Sequence, residues 1–281
     1  MSTVFPLPNE QKLCYDTSMR ADLLSYLACP ECQAGLALVQ DSAAAEIEEG
    51  LLKCAGCASE YPIENGIPRL MPREILDAQK SEIAARDAQV ADYDAMWFLN
   101  LFGAVEMPMT LRRLQISPTD AFLEAGCGTG RMTQEFAAKA REVVAIDFSF
   151  QSLCVNRKKV RQAGVTNVHL VQADLCKLPF KKDVFDRATS CQVLEHVPTH
   201  PAREEAVRSI SRVLKPGSTF VTSAYQHTIW TRQKEGQHEG GIPFFRFTRS
   251  EFQSLLASAF RVESITGALV YLHLARCTNL T

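Results

Sequence analysis

From Asp120 onward, short apolar runs alternate with turn residues and longer amphipathic stretches. The apolar runs predict strands at Ala121–Ala125, Val143–Ile146, Val168–Gln172, Phe185–Cys191, Thr219–Tyr225, Arg261–Ile265 and Val270–Arg276. Helical spacing predicts helices at Arg131–Lys139, Phe150–Ala163, Pro201–Leu214 and Arg249–Ala257. Strand, turn and helix in repetition are the signature of a parallel sheet covered by helices. Lys215-Pro216-Gly217 closes one helix and opens the next strand, because proline cannot continue a helix and glycine permits the reversal. A late strand pair joined near Gly267 suits a seven-stranded, mostly parallel α/β sheet whose last strand is antiparallel. Upstream the pattern changes. Residues 1–20 read as a flexible arm, 21–72 as a compact loop-rich module, 73–118 as linking and lid helices, and 119–281 as the α/β domain.

Composition adds a compartment and a polarity. Apolar residues make up 46% and charged residues 22% of the chain, enough for a full-sized core. No basic start leads into an apolar run, and no stretch approaches a membrane span, so the expectation is a soluble, cytoplasmic protein with no membrane role. Ten cysteines then imply thiols that are free or bound to metal. Residues 1–75 carry 5 Lys+Arg against 11 Asp+Glu, and residues 76–281 carry 25 against 21. An acidic front module is unsuited to gripping phosphate backbones.

The chemistry concentrates in Phe122-Leu123-Glu124-Ala125-Gly126-Cys127-Gly128-Thr129-Gly130, an apolar strand running into three alternate glycines. Such a turn lets a ligand lie against bare backbone at the carboxyl end of a first strand. Arg131 stands where a dinucleotide fingerprint needs its third glycine, which counts against a dehydrogenase. Glu124 would repel a pyrophosphate but suits an ammonium, and Asp147 closes a second strand with a carboxylate matched to two ribose hydroxyls. Together these residues resemble motif I and the second-strand acid of class I S-adenosylmethionine-dependent methyltransferases, which have a Rossmann-like fold with helices on both faces. Val171 to Leu175 with Leu178-Pro179-Phe180, Val193 to Val197, and Arg212 to Gly217 are similar to the family's later motifs, in order. The resemblance implies S-adenosylmethionine as cofactor. It would be held by Glu124, Gly126, Cys127, Gly128, Gly130, Asp147, Phe148, Asp174, Leu175 and Gln192.

Cys29-Pro30-Glu31-Cys32 and Cys54-Ala55-Gly56-Cys57 form a C-x2-C-x21-C-x2-C set. Two such knuckles make a closed four-sulfur site of the kind structural zinc prefers, with no position left for an activated water. Gln33 and Ala58 follow the knuckles where zinc ribbons often place glycine. The module resembles the zinc ribbon of the small activator protein that partners tRNA, rRNA and protein methyltransferases. It is expected to dock on the catalytic part through Tyr61, Ile63, Ile67 and Leu70. The other cysteines (Cys14, Cys127, Cys154, Cys176, Cys191 and Cys277) read as small core residues.

The stretch from Tyr225 to Phe247 breaks the alternation where this family builds its acceptor pocket, and a long loop of this kind is usually functional or disordered. Tyr225, Trp230, His238, Phe244, Phe245 and Arg246, with Tyr93 and Trp97 from the lid side, are the candidate substrate residues. His196, His227 and His238 are the candidate bases. The leading expectation is methyl transfer to a small molecule. RNA stays open as an acceptor: Phe244-Phe245-Arg246-Phe247 is loosely similar to a segment of wobble-uridine methyltransferases. Arg157-Lys158-Lys159 with Arg161, and Lys181-Lys182, are local basic clusters, read mainly as solvated faces. A non-catalytic cofactor-binding partner is the third reading.

Overall fold

A computed structural model describes residues 19–39, 46–75, 77–93, 97–231, 233–238, 241–268 and 271–281. The side chains at 77–78, 89, 91–93 and 97–102 lie outside that description, as do residues 1–18 of the expected arm with Cys14. The front of the chain forms β1 (Met19–Arg20), β2 (Leu36–Leu38), β3 (Glu46–Ile47), β4 (Gly50–Cys54), β5 (Glu60–Glu64) and β6 (Ile67–Leu70). Helices α1 (Asp77–Tyr93) and α2 (Trp97–Leu114) follow. Then come β7 (Ala121–Ala125), α3 (Thr133–Ala137), β8 (Glu142–Asp147), α4 (Phe150–Gln162), β9 (Val168–Ala173), β10 (Phe185–Cys191), α5 (His200–Val213) and β11 (Leu214–Tyr225). The chain ends with β12 (Glu235–Gln237), β13 (Pro243–Phe245), α6 (Arg249–Ala257), β14 (Phe260–Ala268) and β15 (Leu272–Asn279).

Seven strands stand in the order β14-β15-β11-β10-β7-β8-β9; only β15 runs antiparallel to its neighbours. Every residue of β7 and β9 is buried, as expected for strands covered on both faces. Local chemistry fixes the helix starts. Ser149 caps α4, Thr199 caps α5 ahead of Pro201, and Thr248 with Glu251 forms a reciprocal capping box on α6. The strand order reverses between β7 and its two neighbours, β8 and β10. That leaves a crevice at their carboxyl ends, the place where open α/β sheets bind ligands.

The sheet does not stop at seven strands. β6 pairs in parallel with β9, Arg69 opposite Gln172 and Leu70 opposite Ala173, and the sheet runs on through β5, β4 and β2 to eleven strands. The front segment is therefore a continuation of the sheet, where the sequence pattern suggested a separate docked module. β6 satisfies the bare N–H and C=O groups that β9 would otherwise leave at an edge. The apolar contacts also extend beyond the expected ones. Ile67 and Leu70 are fully buried, but Tyr61 turns back into the ribbon, with its hydroxyl 3.2 Å from Cys29 Sγ. Tyr26 instead stacks on Phe185 at 5.6 Å, and Leu27 bridges to Phe180.

Charge completes the seam. Glu48 takes both Arg157 and Arg161, and Lys181 Nζ donates to the Ser25 carbonyl at 2.8 Å. Arg157, Arg161 and Lys181 of the local basic clusters thus serve as sockets for the acidic ribbon. On the other side of the seam, Glu142 accepts from Arg20, from the Tyr26 hydroxyl at 2.9 Å and from His169 Nε2 at 2.6 Å. Burial pushes the Glu142 carboxyl up, but His169, Tyr26 and Arg20 outweigh it and hold the group down at about 2. Among the described residues no helix is long and apolar enough to cross a membrane.

Candidate functional site

The crevice holds a pocket lined by the glycine turn after β7, the ends of β8, β9 and β10, and one face of α1. Gly126 N and Cys127 N both donate to Ile146 O at 2.8 Å, which binds the turn to β8. Gly130, at φ 84°, packs behind the turn, where an added Cβ would stand 2.2 Å from Asn156 Oδ1. Gly128 is different. At φ 52° it has nothing within 4 Å of where its Cβ would be, so its bare face is open to a ligand.

Two acids flank that open face. Asp147 accepts from Gly128 N and Ser149 N, each at 2.9 Å, so both oxygens are oriented while each keeps a free lone pair. Asp174 accepts from Cys176 N at 2.9 Å and from Gln79 Nε2 at 3.0 Å. Phe148, Leu175 and Gln192 complete the predicted set around the pocket, and Gly130 alone stands behind it. Glu124 also lines the pocket and takes a 2.6 Å hydrogen bond from the Thr133 hydroxyl. Burial pushes its carboxyl up to about 8, more than Thr133 and Arg131 can offset.

Helices α1 and α2 contribute to the pocket beyond what the sequence motifs indicate. Gln79, Glu82, Arg86 and Val90 of α1 lie over the pocket on one helical face, a 3–4-residue spacing that polar residues can signal as well as apolar ones. On α2, fully buried Glu106 accepts from Arg131 Nη2 at 2.8 Å, from Gln192 Nε2 at 2.6 Å and from the Ser223 hydroxyl. It thereby fixes two pocket-lining side chains.

The acceptor candidates divide. His196 lines the pocket, and its Nδ1 lies 2.8 Å from the Pro243 carbonyl. A carbonyl can only accept, so Nδ1 carries the proton and Nε2 is left with a lone pair. Burial holds the ring well below its ordinary value, so it is neutral. Tyr225, His238 and Phe244 gather beside it: His196 stands 5.6 Å from Tyr225 and 5.9 Å from His238, and His238 lies 4.6 Å from Phe244. Phe245 and Arg246 back this wall. Arg203 lies over the Phe245 ring at 4.3 Å, and Arg246 lies over Phe244 at 4.3 Å. His227 stands apart, its Nδ1 3.2 Å from the Thr231 hydroxyl. Trp230 is 78% exposed on a turn and does not reach the pocket. The side chains of Tyr93 and Trp97 lie outside the described residues.

Burial also raises Glu82 to about 7 and Glu195 to about 8. With Glu124, these carboxyls hold protons more tightly when folded than when unfolded. Their contribution to stability is complete below about pH 4.5 and is lost as pH rises through 7 to 8. The thermal midpoint of the ligand-free protein is expected to fall between about pH 6.5 and 8, above the range in which His196, His238 and His273, held neutral in the fold, pull the other way, and Glu195→Gln should flatten that slope. A midpoint that climbs over this range would contradict the assignment.

The four cysteine sulfurs lie within 4.8 Å of one another, with Cys29–Cys57 at 3.6 Å and Cys32–Cys54 at 3.4 Å. Those separations approach the ~3.8 Å edge of a tetrahedron with ~2.3 Å metal–sulfur bonds. Gly56 N and Cys57 N point at Cys54 Sγ from 3.3 and 3.4 Å, as donors to a thiolate do. Gln33 and Ala58 adopt φ 61° and 57°, so both knuckles make the left-handed turn without glycine. The donor set fits zinc.

Comparison with known proteins agrees with this geometry. Residues 123–222 match the family described as a methyltransferase domain, and residues 20–66 match the Trm112p-like protein family. The chain is 33% identical over 162 residues to the ubiquinone/menaquinone biosynthesis C-methyltransferase of Vibrio vulnificus, covering 54% of this chain and 61% of that protein. It thus spans about three fifths of that relative's length. The fold is similar to the 1,6-didemethyltoxoflavin-N1-methyltransferase of Burkholderia thailandensis, with a TM-score of 0.60 at 16% identity over 87% of this chain and 99% of that one. It is also similar to a structure of the Haloferax volcanii Trm112 methyltransferase activator complex, with a TM-score of 0.58 at 17% identity over 70% and 98%.

Proposed function

We propose that this protein is an S-adenosylmethionine-dependent methyltransferase acting on a small, flat acceptor, with a structural zinc held by Cys29, Cys32, Cys54 and Cys57. The observation that carries the reading is one pocket lined together by the open face of Gly128, the oriented carboxylates Asp147 and Asp174, and the neutral ring of His196. S-adenosylmethionine supplies a methyl group on a sulfonium, already activated for in-line transfer. The chain's own residues do the rest. Asp147 suits the ribose hydroxyls and Asp174 the adenine edge. α1 covers the pocket, and Tyr225, His238 and Phe244 cluster next to His196, outside the pocket lining itself, as an aromatic surface onto which an acceptor ring can extend. His196 Nε2 can take the proton that an acceptor loses. The Vibrio vulnificus relative is named for quinone C-methylation, which suits a planar, electron-rich acceptor here. None of the nine described cysteines is in a disulfide, which fits a reducing, cytoplasmic setting.

RNA is the weaker acceptor on electrostatic grounds, because Arg157, Arg161 and Lys181 are engaged by the ribbon. Incubating the protein with methyl-labelled S-adenosylmethionine and either lipid and metabolite extracts or total RNA separates the readings. Label should enter a small molecule, and His196→Asn should lower that rate by about 10²–10³-fold if proton removal accompanies transfer. Label in RNA alone, or cofactor binding with no labelled product, would overturn the proposal.

A further inference from the structure

Among the described residues the exposed large hydrophobics are few, and three of them share one end of the sheet. Ile229 is 92%, Trp230 78% and Tyr271 52% exposed. Ile229 and Trp230 sit in the turn that follows β11, and Tyr271 sits in the turn that precedes β15. The two turns are tied together: Gln226 N donates to Tyr271 O at 2.7 Å, and Tyr225 lies opposite Leu272. The first turn is locked as well. Thr231 N donates to Thr228 O at 3.0 Å, Thr228 N donates to the Thr231 hydroxyl at 2.8 Å, and Trp230 N donates to the Thr228 hydroxyl at 3.2 Å. Ile229 and Trp230 are therefore held outward by a hydrogen-bonded frame, at the solvation cost of leaving two of the largest apolar side chains in water.

This tip stands beside the aromatic wall. Tyr225 belongs to both, and the segment carrying Arg246 and Arg249 runs alongside, with His227 N bonded to Phe247 O at 2.7 Å. Three side chains on a protruding tip fall far short of the ~800 Å² per partner that a stable protein interface buries. The same group suits a lipid headgroup boundary, where tryptophan and tyrosine settle with an aliphatic neighbour below them and basic residues beside them.

We propose that Ile229, Trp230 and Tyr271 insert shallowly into an anionic lipid surface, presenting the mouth of the acceptor site to the membrane. The attachment is peripheral and involves no crossing. Only the clause about the acceptor mouth rests on the function proposed above; the attachment itself does not.

The test uses the full chain and vesicles of phosphatidylcholine with roughly one third phosphatidylglycerol. The chain has two tryptophans, so Trp97→Phe leaves Trp230 as the sole reporter. Its emission should shift to the blue on vesicle addition and be quenched by brominated acyl chains. The protein should float with these vesicles, and more weakly with pure phosphatidylcholine. A combined Ile229→Ser, Trp230→Ser, Tyr271→Ser variant should lose at least about tenfold in bound fraction, with its thermal midpoint and S-adenosylhomocysteine affinity unchanged. Because vesicle binding is read without turnover, its failure is distinct from failure of the methyltransferase reading. Four results would overturn the proposal: no flotation and no shift; flotation that the triple variant keeps; a shift produced by S-adenosylhomocysteine without lipid, which would mean the turn closes over its own pocket; or a dimer that the triple variant abolishes.

Discussion

Cys54→Ser is expected to empty the metal site and to weaken S-adenosylhomocysteine binding at least about tenfold, although Cys54 does not line the pocket. Free energy of structural zinc binding is folding free energy for a small ribbon, on the order of 10 kcal/mol. Without the metal, the Cys29–Cys32 knuckle loses its tie to the Cys54–Cys57 knuckle at the end of β4, and the ribbon strands β4 and β5 on which β6 is paired should loosen. β6 is the strand that covers the edge of β9. Arg69 Nε donates to Gln172 Oε1 at 2.8 Å, and Gln172 Nε2 donates to the Phe148 carbonyl at 2.9 Å. Phe148, at the end of that relay, and Ala173, paired with Leu70 of β6, both line the pocket. Losing the seam should lower the thermal midpoint by about 10 °C or more, since each kcal/mol is worth about 2–4 °C in a chain of this size. Metal analysis, a melting curve and a titration on one preparation would check all three effects. A zinc-free variant that melts and binds like the parent would show that the ribbon is energetically separate from the pocket.

Glu106→Ala should be the second large effect. Glu106 is fully buried and serves three donors, Arg131, Gln192 and Ser223. Removing it leaves a mostly buried guanidinium without its counter-charge, and the cost of breaking such a pair is about 3 kcal/mol, discounted for the partial exposure of Arg131. That corresponds to a midpoint lowered by about 5–10 °C. Glu106→Gln keeps one carbonyl oxygen that can accept from Arg131 and Gln192, but it loses the charge and turns a donor toward Ser223, so it should recover only part of the loss. Equal midpoints for the parent and Glu106→Ala, read by calorimetry, would mean that Arg131 finds another partner or reaches water.

The two halves of the structure were not equally legible in the sequence. The seven strands β7–β11, β14 and β15 could be read because each is a local apolar run between turn or helical residues, whereas in the short pair β12 and β13 the first strand, Glu235–Gln237, carries no such run. The glycine turn, Asp147 and Asp174 could be read because they sit at the ends of those runs. The ribbon's cysteines announced themselves by spacing. The joint between ribbon and sheet did not. Parallel pairing of β6 with β9 joins residues about a hundred positions apart, and nothing local to Ile67–Leu70 names its partner. The arginines and lysines of the seam looked like ordinary solvated faces until Glu48 and the Ser25 carbonyl were placed against them. Glu106 was hidden for the same reason: a glutamate in an apolar helix acquires meaning only from the Arg131 and Gln192 it meets. Trp230 and His227 fell within the expected pocket segment by sequence distance, but the turn at Thr228–Thr231 faces them away from it.

The pocket at Gly128 is expected to bind the nucleoside, and everything proposed for the site depends on that binding. Titration calorimetry of S-adenosylhomocysteine should give one site per chain with micromolar-range affinity, roughly −8 kcal/mol. Asp147→Ala should weaken it by about 10–100-fold, the worth of a charge-assisted contact to the ribose. Absence of binding to the parent protein, or the same affinity in Asp147→Ala, would contradict it.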